Sequence, residues 1–263
     1  MISYFKKIVL FVLSFIKLDV YKHTFKGRLV TREQHDSNST QNYLNINKKS
    51  NLSPSLAAIY RIKNGSAYIE MSILSVCTLC KEIIVVDNGS DDNTLSIVKR
   101  LQNELKDICE IKIFSYDISP ILAGEGYYDS VREEPERSLA KFYNYCFSLS
   151  SCDYLMKCDA HYVFTPNGLN SIQKKMNLGC DIIRYRGVEI TGGYITHEPF
   201  IFKRELDHSF IDTEYYERLM LPSQSFLNYC KGFIVAPCYI HVKRLVFAKY
   251  IGSAVKPVKR LYK

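Results

Sequence analysis

From Leu56 onward, short continuous apolar runs alternate with amphipathic stretches. LAAIY has the length and composition of a buried strand, and a turn at Asn64 and Gly65 follows it. The next stretch predicts a helix over 67–80. IIVV, led in by Glu82, predicts a second buried strand that ends at Asp87. NGSDDNT then supplies turn residues and a helix start, and LSIVKRLQNELK puts Leu95, Val98, Leu101 and Leu105 on one helical face. A third strand is predicted over 110–116, a helix over 134–149 and a strand over 154–158. This alternation implies an α/β fold with a mainly parallel sheet covered by helices on both faces. Ligands of open α/β sheets bind beyond the carboxyl ends of the strands, where Asp87 and Asp159 both fall.

The pattern is different before residue 55. Met1 to Lys17 carries Lys6 and Lys7 ahead of an apolar run from Ile8 to Leu13 that is interrupted by Ser14 and resumes at Phe15 and Ile16, about half of the ~20 residues a spanning helix needs. Lysines beside a short apolar run suit a segment lying in the membrane interface; a cleaved signal and an ordinary buried helix are the alternatives. The stretch 31–54 is polar, rich in Asn and Ser, and reads as a linker. The expected organisation is a membrane-associated segment at 1–30, the linker, and one catalytic domain at 55–263. That domain divides into two halves, 55–165 and 166–263.

A formal charge of +8 favours anionic partners: a nucleotide diphosphate, an acidic membrane surface or nucleic acid. No Lys/Arg run interleaved with aromatics marks a nucleic-acid groove, so nucleic acid is excluded as the expected partner. Nine scattered cysteines in a chain of this length point to a reducing compartment, with Cys77 and Cys80 read as buried thiols.

Two clusters could carry chemistry. Asp87, at a strand end before a Gly/Ser turn into a helix, can accept hydrogen bonds from a nucleoside while the helix start faces phosphate. In YLMKCDAHYVF, Asp159 and His161 stand where a strand ends and could hold a divalent cation, with oxygen ligands suiting Mg2+ or Mn2+ and an imidazole favouring Mn2+.

AAIYRIKNGSAYIEMSILSV, KEIIVVDNGSDDNTLSIVKRL and SLAKFYNYCFSLSSCDYLMKCDAHYVF, in that order, resemble the donor-binding half of family-two, GT-A-type glycosyltransferases. The resemblance implies a GT-A-like, Rossmann-like fold and transfer of a sugar from a nucleotide-sugar donor to a glycan or lipid-linked acceptor. It implies donor contacts at Arg61, Asn64, Asp87, Asn88, Ser90, Asp92, Arg137, Lys141, Asn144 and Asp159, and metal contacts at Asp159, His161 and His241. Gly65 stands where relatives have a glutamate, and His161 stands where they have a second aspartate. Inverting transfer needs a base, for which Glu198, Asp212, Glu214 and Glu217 are the acidic candidates. DTEYYE reads as a helix start like the acidic acceptor segment of relatives, which favours Glu214 over Asp212; Glu198 borders the cleft. His241 is either a ligand of metal or diphosphate, as in that fold, or a satisfied core histidine.

Overall fold

The computed structural model describes residues 54–189 and 193–243, so the N-terminal segment and most of the linker lie outside the described residues. The chain runs β1 (Leu56–Ile62), α1 (Ile69–Val76), β2 (Glu82–Asp87), α2 (Thr94–Glu104), β3 (Glu110–Ser115) and α3 (Tyr127–Glu133). A 3-10 turn (Pro135–Arg137), α4 (Leu139–Ser148), β4 (Tyr154–Cys158), β5 (Tyr162–Phe164), α5 (Pro166–Asn177) and β6 (Ile182–Tyr185) come next. The last elements are β7 (Gly187–Glu189), β8 (Glu198–Lys203), β9 (Ser209–Asp212), β10 (Glu217–Met220), α6 (Phe226–Lys231) and β11 (Tyr239–His241).

Six strands form the main sheet in the order β3-β2-β1-β4-β8-β6. The first four are parallel, and β8 pairs antiparallel with both β4 and β6. Continuous apolar runs form the central strands because both faces are covered. Along β1, Leu56, Ala58, Tyr60 and Ile62 enter the cluster beneath α1 and α2, whereas Ala57 and Ile59 enter the cluster beneath α4. Successive strand residues point to opposite faces, so Arg61 shares the α4 side with Ala57 and Ile59. The expected α/β class and mainly parallel sheet are found.

Three expectations change. The helix expected over 134–149 is interrupted at Ser138, whose side chain caps α4 by accepting from Lys141 N, and Pro135 opens the 3-10 turn before it. The helix expected over 67–80 is shorter, Ile69–Val76. DTEYYE is not a helix start. It is the turn of the antiparallel hairpin β9–β10, closed by Thr213 N donating to Tyr216 O (2.9 Å). The hairpin wins because Phe210 packs against Tyr143 and Phe147 of α4, and Asn144 donates to and accepts from the Phe210 backbone (both 2.8 Å).

A small three-stranded sheet, β5-β11-β7, closes the end of the main sheet where the parallel strands finish. Its register sets His241 opposite both Tyr162 and Glu189. The chain leading into β11 passes so close to α5 that a Cβ on Gly168 would stand 2.2 Å from Cys238 O and 2.6 Å from its Cα. Gly168→Ala gains about 1 kcal/mol of helix propensity but forces backbone apart. A net destabilisation of about 1 to 3 kcal/mol is expected. Urea unfolding measures it, and an unchanged or higher midpoint would show that α5 and β11 are not in this contact.

Candidate functional site

The turns after β1 and β2 lock onto each other through short polar side chains. Asn64, at φ 55°, donates its backbone N–H to the Ser90 hydroxyl (2.9 Å), and its side-chain oxygen accepts from Asp91 N (3.0 Å). Asp92 accepts from Ser66 N (3.1 Å), Thr94 N (2.9 Å) and the Thr94 hydroxyl, while Gly65 N donates to Thr94 Oγ1 (2.8 Å). Asn88 gives both amide hydrogens to the segment after β3, at Tyr116 O and Ile118 O (2.8 Å each). Asn64, Asn88, Ser90 and Asp92 thus build the turn.

Asp87 sits inside it. One carboxylate oxygen accepts from Gly89 N and Ser90 N (3.1 Å each), a turn that needs the left-handed φ of +73° at Gly89. The other oxygen, Oδ1, is buried without a partner. A desolvated carboxylate oxygen lacking a donor costs about 1 to 3 kcal/mol or more, so it marks a place where a ligand donor is wanted.

The second centre lies at the end of β4. Asp159 Oδ1 accepts from Arg61 Nη2 at 2.7 Å, and the same nitrogen donates to Cys158 O (3.1 Å). The Arg61 side chain is only 3% exposed, and its guanidinium lies over the Tyr143 ring at 4.2 Å. Its Nε and Nη1 have no partner. Burial alone would raise the Asp159 carboxyl, but Arg61 foremost, then Lys157 and His161, pull it down to about 2. His161 Nε2 stands 3.8 Å from Asp159 Oδ2, and its ring meets that of His241 edge-on at 4.5 Å. Burial first, with His241 and Lys243, outweighs Asp159 and Glu189 and holds His161 down to about 4. His241 Nδ1 is 2.9 Å from Glu189 Oε1, and Glu189 Oε2 is buried without a partner.

Two more carboxylates border this centre. Glu198, the first residue of β8, has its carboxyl raised, by burial foremost and also by Asp159 and Glu217, with Lys157 opposing. Glu217 Oε1 is 3.8 Å from Lys157 Nζ.

The remaining residues singled out from sequence lie elsewhere. Asp212 accepts from the Tyr127 hydroxyl, Ser138 Oγ (2.6 Å) and Ala140 N (3.2 Å), tying α3, α4 and β9 together. Glu214 stands exposed in the hairpin turn, where its carbonyl accepts from Tyr128 N. Arg137 pairs with Glu134 (2.9 Å) and donates to Ser119 O (2.9 Å). Lys141 is exposed in the first turn of α4, and Asn144 clamps Phe210. Arg61, Asp159, His161, His241 and Glu198 are brought together. Sequence reading missed Lys157, Tyr143 and Glu189. For Tyr143 a signal existed: it shares one face of α4 with Phe147, four residues on.

Among the described residues no group of three His, Cys, Asp or Glu side chains stands together as a metal cage. The donors nevertheless fit a cation that shares its shell with a ligand. The free oxygen of Asp159 and a neutral His161 imidazole face each other beyond hydrogen-bonding distance. An imidazole bound through Nδ1 to a carboxylate, as His241 is to Glu189, keeps its Nε2 lone pair for a metal.

Residues 59–114, from β1 to β3, match the family model described as Glycosyl transferase family 2. No curated protein matches the chain. Solved structures with a similar arrangement include S. aureus TarS 1-349 in complex with UDP-GlcNAc, at 17% identity and TM-score 0.41, covering 54% of this chain and 36% of that one. Another is M. tuberculosis glucosyl-3-phosphoglycerate synthase with Mn2+, UDP-glucose and phosphoglyceric acid, at 16% identity and TM-score 0.34, covering 53% and 45%. This chain therefore spans less than half of either protein, and at such scores neither likeness bears on what it binds.

The low histidine values make acid stability a test of the centre. His161 and His197 are both held down to about 4 from an ordinary 6.5, burial being the largest cause for each. Between these values the unfolded chain binds more protons, so stability falls as pH drops from 6.5 towards 4. Asp159, lowered from 3.8, adds stability above that pH and loses it as pH falls through about 2. Glu198, raised on folding, opposes the histidines. A net loss on the order of a few kcal/mol is expected for the histidines together. Urea titrations at pH 7, 5.5 and 4.5 should show it, and His161→Asn should flatten the slope; a wild-type stability that does not fall over this range would contradict the buried neutral imidazoles.

Proposed function

We propose that this protein is an inverting glycosyltransferase that moves a sugar from a nucleotide-sugar donor, a UDP-sugar, to a hydroxyl of a glycan or lipid-linked acceptor. Its setting is surface polysaccharide, lipopolysaccharide or capsule synthesis at the cytoplasmic face of the membrane, with residues 1–30 attaching it there. The observation that carries the reading is the unpaired, buried Oδ1 of Asp87, at the carboxyl end of a parallel strand and inside the segment that matches the family model.

In this reading Asp87 accepts from the nucleoside, and the start of α2 favours nearby phosphate. Arg61 and Lys157 put positive charge beside Asp159. A divalent cation, Mn2+ or Mg2+, held by Asp159 and His161 with His241, would supply charge neutralisation to the departing diphosphate. The acceptor oxygen bonds to the anomeric carbon as the bond to the diphosphate oxygen breaks, and the hydroxyl proton passes to a carboxylate. Glu198 is the base favoured here over Glu214 and Asp212, because it borders Asp159 and its raised carboxyl holds a proton more readily. A sugar-binding domain without turnover is the competing reading, favoured by the Arg61–Asp159 pair, which already neutralises the carboxylate a metal would use.

Two variants separate binding from chemistry. Asp87→Ala should weaken UDP binding even without metal by about 10- to 150-fold, the worth of one charge-assisted hydrogen bond. Glu198→Gln should leave the UDP dissociation constant unchanged and lower turnover by about 100- to 10,000-fold. Calorimetry and a UDP-release assay read the two. Unaltered UDP affinity in Asp87→Ala removes the donor site from β2, and full turnover by Glu198→Gln removes the base.

Asp159→Asn keeps shape and removes charge, so metal-stimulated turnover should be lost; because the Arg61 charge is left uncompensated, the melting transition should stay cooperative but shift to lower temperature. Wild-type turnover undiminished by excess chelator would exclude metal assistance.

A further inference from the structure

Beside the cleft lies a groove of about 280 Å3 whose lining includes Arg184, Pro199, Arg218, Met220, Ser223 and Gln224. Arg184 is partly buried: its Nη1 donates to Gln224 Oε1 (2.7 Å) and its guanidinium lies 4.6 Å over the Tyr229 ring. Both contacts are neutral. Among the described residues no carboxylate stands within ion-pair distance of Arg184 or Arg218. Burial pushes Arg184 below its ordinary value, as expected for a desolvated cation without a counter-charge. Arg186, two residues on, is also buried, has no carboxylate partner among the described residues and leaves Nη2 without a hydrogen-bond partner among them. Buried charges are normally paired. Partly buried Arg184 and exposed Arg218 line this open groove, with buried Arg186 close by in sequence, and among the described residues no carboxylate neutralises them.

The groove adjoins the proposed chemistry. Pro199 and Arg218 line it, and each immediately follows a carboxylate of the cleft, Glu198 and Glu217. Neighbouring strand residues point to opposite sides, so the carboxylates can face the reacting hydroxyl while the groove takes another part of the same molecule. Two guanidiniums match the roughly −1.5 to −2 charge and the fork geometry of a phosphate monoester.

We propose that this groove is an acceptor subsite for a phosphate monoester, held by Arg184 and Arg218. It rests on the transferase reading and adds the acceptor's chemical class. The phosphate belongs either to a soluble sugar phosphate or to a lipid-linked one.

Calorimetry on the full chain, with UDP present to occupy the donor site, tests it using inorganic phosphate, glucose 1-phosphate, and polyprenyl phosphate in phosphatidylcholine vesicles. Glucose and plain vesicles are the controls. Phosphate binding should weaken at least tenfold in Arg184→Met and in Arg218→Met and be partly kept in Arg184→Lys. UDP affinity should stay at the wild-type value in the arginine variants. Arg218 is exposed, so its variant keeps the test valid should Arg184→Met fail to fold. Tighter binding of glucose 1-phosphate assigns the soluble source, and tighter binding of polyprenyl phosphate the lipid-linked one. No phosphate binding by the wild type, or equal affinity in both methionine variants, overturns the subsite. Absence of UDP binding with arginine-dependent phosphate binding intact would instead sink the transferase reading alone.

Discussion

The buried contact between Arg61 and Asp159 governs the cleft. Taking both charges out of water is costly, and the pair repays this only because the geometry is direct: 2.7 Å between Nη2 and Oδ1, with the guanidinium laid on Tyr143. Removing one member would strand the other, at about 3 to 5 kcal/mol. The pair also sets the state of its neighbours. It contributes most to keeping Asp159 ionised against burial, and it leaves one carboxylate oxygen free toward His161.

Arg61 can reach Asp159 because of sheet order. β4 lies directly beside β1, in a register that sets Tyr60 against Cys158, so the next residue along each strand meets its counterpart at the strands' carboxyl ends. On the other side of β1, Ile62 pairs with Asp87. The Asp87 turn and the charged centre are thus held at one end of three adjacent strands by backbone ladders, with the polar turn lock through Asn64, Ser90, Asp92 and Thr94 fixing the loops. The rigidity of this end comes from core packing beneath it, where Tyr60 and Ile62 are buried.

The remaining walls come from the second half of the chain. β11 crosses between β5 and β7 and carries His241 to His161 and Glu189. The β9–β10 hairpin leans on α4, and Asp212 and Asn144 hold it there. Glu217 at the start of β10 is thereby brought to Lys157. Asp212 serves as a structural tie with three hydrogen bonds, a role that an acidic residue near a cleft takes as readily as a catalytic one.

The strands β1, β2 and β4 and the strand-end positions of Asp87 and Asp159 are legible in the chain, because burial on both faces demands continuous apolar runs and turn residues announce where they end. Those are local properties, written in adjacent residues. DTEYYE reads as a helix start but forms the β9–β10 turn, because Asp, Thr and Glu ahead of aromatics look alike at a helix start and in a hairpin turn. What separates them is the packing of Phe210 on α4, some sixty residues away in the chain. Arg61 with Asp159, 98 residues apart, and His241 with Glu189, 52 apart, are likewise set by strand order and register. Folding alone sets which carboxylates border Asp159 and which arginines lack a counter-charge among the described residues, since both depend on the three-dimensional neighbours of a side chain rather than on its neighbours in sequence.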